Sequence, residues 1–174
     1  MKRAIVFLLT CVIYGCISAQ SVEKFTMYVQ GSKYDGTIYV NNGSVRYVYS
    51  KKGGAQREQT FRCDPDVDAS AVSTVIMGIY NGQNVFYYLK KISFNIDISQ
   101  AKTYIRKAIN ECNEANIHYF QGYCHDRSED FANMSDDLTF ALGAYTMDDM
   151  MQYVVRLKQK YSHLYTFDTC GWIY

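Results

Sequence analysis

The stretch Thr37-Ile38-Tyr39-Val40-Asn41-Asn42-Gly43-Ser44-Val45-Arg46-Tyr47-Val48-Tyr49-Ser50 decides the fold. Asn42-Gly43 at its centre is the strongest short hairpin signal a sequence offers. A two-residue turn also fixes the register. Asn41 must face Ser44, Val40 must face Val45, Tyr39 must face Arg46 and Ile38 must face Tyr47. Side chains alternate between the two faces of a strand. Ile38, Val40, Val45 and Tyr47 therefore share one face, which is expected in the core. Tyr39, Asn41, Ser44 and Arg46 share the other, which is expected against solvent.

Working outward, residues 22–30 alternate in the same way, with Phe25, Met27 and Val29 on one side. Residues 31–36 read as a turn, Lys51-Lys52-Gly53-Gly54 as another, and residues 56–63 as a polar edge strand. Helical period follows: Asp66 or Asp68 can cap a helix carrying Val72, Val75, Ile76 and Ile79, with Asn81-Gly82 as its stop. Residues 85–98 read as extended, on the alternation of Ile92, Phe94, Ile96 and Ile98, with Lys90-Lys91 as a bulge. Ser99 is the expected cap of a second helix with the stripe Ala101, Ile105, Ala108, Ile109, Cys112 and Ala115. Residues 117–123 read as a strand, 125–137 as a polar loop and 138–144 as a strand. Thr146 and Asp149 open a third helix, burying Met147, Met150, Met151, Val154, Leu157 and Tyr161, and residues 164–170 form a last strand. Strands clustered first and helices interspersed later predict an α+β fold: a mainly antiparallel sheet, about three helices packed on one face, stabilised by disulfides.

The ends of the chain set its expected compartment. Lys2 and Arg3 precede an apolar run, and Ile17-Ser18-Ala19 follows, which makes residues 1–19 a secretory signal. The run is shorter than the roughly 20 residues a membrane span needs. Residues 20–174 then form a single secreted or periplasmic domain, with no transmembrane segment. Lipid anchoring through Cys16 is a lesser alternative, disfavoured by the bulky Tyr14 before it. Four of the six cysteines remain, Cys63, Cys112, Cys124 and Cys170, an even number that predicts a disulfide framework in an oxidising compartment. Loop economy favours Cys112–Cys124 with Cys63–Cys170. Setting Lys2 and Arg3 aside leaves 16 basic against 17 acidic side chains. No basic run occurs beyond pairs such as Lys90-Lys91, and this argues against a nucleic-acid partner.

The sequence offers no catalytic signature. Cys112, His118, Cys124 and His125 are zinc-type ligands without the short paired spacings of zinc sites, so neither a metal nor a cofactor is expected. Cys124 with His125 or His163 lacks a supporting motif for nucleophilic chemistry. Asp126, Glu129, Asp130, Asp136 and Asp137 fit a solvated loop, without the spacing of a calcium site. Tyrosine is abundant at 17 residues. Its rigid apolar face and polar tip suit recognition of proteins or sugars. Tyr39 with Arg46 on the outer hairpin face is the most specific candidate surface. The sequence therefore predicts a non-enzymatic recognition protein, such as an inhibitor, an immunity-type protein or a ligand-binding domain, whose partner is another protein or a glycan. The alternative is an extracellular hydrolase using carboxylates and histidines of residues 118–137. Asn42-Gly43-Ser44 and Asn133-Met134-Ser135 match the N-glycosylation triplet at positions expected to be exposed.

Overall fold

The computed structural model describes residues 21–174. The signal reading of residues 1–19, with Cys11 and Cys16, lies outside the described residues. The described residues open with four strands, β1 (Ser21–Val29), β2 (Ser32–Asn41), β3 (Ser44–Lys51) and β4 (Gln56–Arg62). They form one antiparallel meander in sequence order. Four helices follow, α1 (Ala69–Lys90), α2 (Ile98–Gln121), α3 (His125–Ala141) and α4 (Met147–Lys160), then a single 3-10 turn at Ser162–Tyr165. The class is α+β as expected, with one helix more.

The hairpin forms in the expected register, with Asn41 opposite Ser44, Val40 opposite Val45, Tyr39 opposite Arg46 and Ile38 opposite Tyr47. Gly43 takes φ +74°, the left-handed region where glycine escapes the Cβ penalty. Ile38, Val40, Val45 and Tyr47 are all buried. Each such side chain contributes about 1.5–3 kcal/mol by leaving water. They join Phe25 and Met27 of β1 and Val72 and Ile76 of α1 in a sheet-side core. The phenol of Tyr47 donates to Gln59 and lies 3.4 Å from that of Tyr80, so burial carries no unpaired hydroxyl. That burial pushes the Tyr47 phenol up to about 12.

α1 is the pivot of the molecule. Asp68 caps it by accepting from the Ser70 amide at 2.9 Å. One side of α1 faces β1; the other supplies Val75, Ile79, Val85 and Leu89 to a second core, shared with α2, α3 and α4. The predicted stop at Asn81-Gly82 is overturned, for α1 runs through it to Lys90. Gly82 is a notch: a Cβ there would lie 2.6 Å from Cζ of Phe131 on α3. Residues 85–98 are likewise not a strand. They complete α1 and form the connection to α2, which Asp97 rather than Ser99 caps, accepting from the Gln100 amide at 2.7 Å.

The expected strand at 117–123 is the end of α2, whose buried stripe simply continues to Tyr119. The expected loop at 125–137 and the strand at 138–144 are replaced by α3 and its exit. α3 buries Ser128, Phe131, Met134, Ser135, Leu138 and Ala141. The two serines bury without cost because they donate to Asn116 and Asn113 of α2. Ser135 is therefore enclosed, although Asn133 of the same triplet is exposed. Thr146 caps α4 as expected, accepting from the Asp149 amide at 3.1 Å. Residues 164–170 form the end of the 3-10 turn and an irregular tail rather than a strand.

The cysteine pairing differs from the expected one. Cys124 bonds to Cys170, with Cα atoms 5.9 Å apart, while Cys63 and Cys112 are free and buried. Cys112 cannot reach Cys124, because the nine residues from it to the end of α2 rise about 14 Å and a disulfide spans at most about 7 Å between Cα atoms. Cys63 forms a backbone bridge to Ile173 instead of meeting Cys170. The disulfide ties the tail to the start of α3. Trp172 donates to the Gly122 carbonyl at 2.9 Å, and Arg62 and Tyr174 exchange backbone hydrogen bonds at 2.9 Å. The tail thus links the helical core to the end of β4.

Candidate functional site

All the helix contacts of the sheet lie on its inner face, and the outer face is uncovered among the described residues. Strand alternation places Val22, Lys24, Thr26 and Tyr28 of β1 there, beside Asp35, Thr37 and Tyr39 of β2 and Arg46 and Val48 of β3. β4 adds Glu58 and Thr60. At its centre the Arg46 guanidinium sits 4.6 Å from the Tyr39 ring centroid and 3.4 Å from the Glu58 carboxylate. The two sequence-selected residues, Tyr39 and Arg46, are therefore in contact. The arginine is held between an aromatic face and an acid on neighbouring strands.

The residues of the alternative hydrolase reading are not brought together. His118 bonds through Nδ1 to Asn81 Oδ1 at 2.9 Å, and Asn81 donates through Nδ2 to Glu111 at 2.7 Å. With Asn81 Nδ2 turned to Glu111, the atom facing His118 is the carbonyl Oδ1, which can only accept, so His118 Nδ1 donates. Burial pushes the His118 imidazole down, although Glu114 pulls the other way. Burial also raises the Glu111 carboxyl, against the lowering effect of hydrogen bonds from Asn81 and Asn84. This network joins α1 to α2. His125 packs its ring against Phe120. Asp130 meets His163 at 3.1 Å, and Asp137 accepts from Lys160 at 2.6 Å and Tyr161 at 2.7 Å. The Lys160 hydrogen bond is the main cause that holds Asp137 below the usual carboxylate range. Cys124, spent in the disulfide, and Cys112, enclosed in the helical core, do not meet the two histidines of the zinc-type set.

A cleft of about 860 Å³ opens where the β1–β2 turn, the last turns of α1 and the end of α4 converge. Lys90, Lys91 and Lys158 line it together with Phe86, Tyr87 and Tyr165. The Phe86 and Tyr165 rings meet edge to face at 5.2 Å, bridging the two walls. The floor is anchored from below: the Gln30 amide donates to Asn84 Oδ1 at 2.9 Å, and Asn84 donates to the Tyr28 carbonyl at 2.7 Å and to Glu111 at 3.1 Å. Sequence reading missed this site by taking Lys90-Lys91 as a strand bulge. Phe86, Tyr87, Lys90 and Lys91, grouped on the exposed side of one helix end, carry the signal.

The tyrosines divide between two roles. Tyr47, Tyr49, Tyr80, Tyr119 and Tyr161 belong to the cores, so much of the enrichment serves packing. Tyr28, Tyr39, Tyr87 and Tyr165 lie at the two surfaces just described, and Tyr123, Tyr145, Tyr153 and Tyr174 are exposed elsewhere. Comparison with known protein families, with curated proteins and with solved structures finds no match to this chain.

Proposed function

We propose that this is an exported, non-enzymatic recognition protein that engages another protein through the open face of its sheet, centred on Tyr39 and Arg46. The observation that carries this reading is the preassembled stack of Arg46 on Tyr39, steadied by Glu58. Tyrosine and arginine dominate the energetics of protein interfaces. An arginine already held in place loses less side-chain freedom when a partner docks. Export is supported by the character of residues 1–19 and by the Cys124–Cys170 bond, a linkage that persists in oxidising compartments.

The test is affinity capture from the protein's native surroundings, followed by titration of the captured partner against variants. Tyr39→Ala and Arg46→Ala should each weaken binding by about 2 kcal/mol, roughly thirtyfold. Thermal unfolding should barely move, since an exposed cation–π pair is worth only about 0.5–1 kcal/mol. Unchanged affinity in both variants would remove this face as the docking site.

A further inference from the structure

We infer that the cleft between the ends of α1 and α4 is a second, separate binding site, for an acidic saccharide bearing sulfate or carboxylate groups. The chain as a whole is close to neutral, yet three lysines and no acid line this cleft. Among the described residues none of Lys90, Lys91 and Lys158 enters an ion pair; Lys91 instead sits 4.9 Å from the Tyr87 ring centroid. Helix ends explain only part of this charge. Lys90 lies in the last turn of α1 and Lys158 in that of α4, where cations offset the dipole. Each helix C-terminus carries about half a negative charge. Two such ends offset about one of the three positive charges, and Glu111, bonded to Asn84 beneath the floor at 3.1 Å, offsets part of another, so the lining keeps a net positive character.

The remaining lining selects the kind of anion. Tyr165, 63% exposed and braced edge to face by the half-buried Phe86, presents ring surface suited to the C–H face of a sugar ring, with the half-buried Tyr87 beside Lys91. Gln30, Gln83 and Ser162 supply polar groups of the kind that bond sugar hydroxyls. The volume falls within the roughly 300–1,000 Å³ of small-ligand pockets. The floor is rigid, because Asn84, 2% exposed, pins the Gln30 backbone from beneath. A bare phosphate or sulfate ion would use the lysines and leave the rings idle. A sugar polymer with spaced anionic groups uses both.

Isothermal titration of the purified protein, with its disulfide formed, tests this directly. The probes are a sulfated uronate–glucosamine tetrasaccharide, its desulfated, N-acetylated and carboxyl-reduced counterpart, sodium sulfate, and vesicles containing phosphatidylserine. The sulfated tetrasaccharide should bind and the neutral counterpart should bind at least about tenfold more weakly, with Lys90→Gln/Lys158→Gln erasing most of that difference. Both lysines are exposed, so the double variant should keep its unfolding temperature. Tyr165→Ala should weaken the charged and the neutral saccharide alike. Tyr39→Ala should change nothing here, so this site and the sheet face stand or fall separately. The inference is overturned by the absence of saccharide binding, by sodium sulfate binding as tightly as the tetrasaccharide, by binding to the vesicles alone, or by full affinity in the lysine double variant.

Discussion

The hairpin at residues 37–50 and the helical segment at residues 81–142 are of similar apolar content, yet they obey different rules. In the hairpin a single dipeptide, Asn42-Gly43, fixes the turn, the turn fixes the register, and the register sorts every side chain to its face. Each step is local. In the helical segment the deciding contacts are distant: Gly82 is shaped by Phe131, Ser128 and Ser135 by asparagines of α2, and Asn81 by Glu111 and His118. Turn chemistry can therefore be read from neighbours in the chain, whereas helix–helix packing depends on residues of other helices, about 12 to 49 positions away.

The largest effect that could break this contrast is in the hairpin. Ile38→Ala removes a fully buried side chain and should cost about 2–5 kcal/mol in urea unfolding. Tyr39→Ala, one residue away on the other face, should cost less than about 1 kcal/mol. Similar losses at both positions would mean that the two faces are not distinct in energy, and the argument from register would fail.

A smaller effect sharpens the helical side. Gly82→Ala puts a methyl group into Phe131, and overpacking of this kind costs about 1–3 kcal/mol. In a Phe131→Leu background the clash is relieved, and the same substitution should stabilise by up to about 1 kcal/mol through helix propensity. The sign change in this double-mutant cycle is the signature of a notch. Stabilisation of similar size in both backgrounds would show that Gly82 is merely tolerated in α1.

These contrasts explain what was legible. The existence of the four strands, the inner and outer hairpin faces, the Thr146 cap and the α+β class follow from turn residues, alternation and capping chemistry. The expected turn at residues 31–36 does not: β2 starts at Ser32, because Gln30 and Gly31, both with positive φ, complete the turn alone and Ser32 already pairs with Val29. Short alternation misled at Ile92, Phe94, Ile96 and Ile98, because a connection that buries Ile92 while leaving Phe94 64% exposed shows the same period over so few residues. α3 was hidden because two of its buried positions are serines, whose partners on α2 no linear pattern reveals. The extra helical length then moved Cys112 away from Cys124 and left Cys124 for Cys170. The Tyr39–Arg46 pair was visible because it lies inside one hairpin. The lysine-lined cleft was not, because it joins β1, α1 and α4.

The central claim is that protein recognition belongs to the uncovered sheet face rather than to the helical side. Photo-crosslinking in the native surroundings tests it most directly, with a photoreactive phenylalanine analogue placed either at position 39 or at position 145. Tyr145 is 92% exposed on the helical side and serves as the control. The account predicts a discrete protein adduct from position 39 that Arg46→Ala diminishes, and none from position 145. An adduct from position 145 with none from position 39 would contradict it.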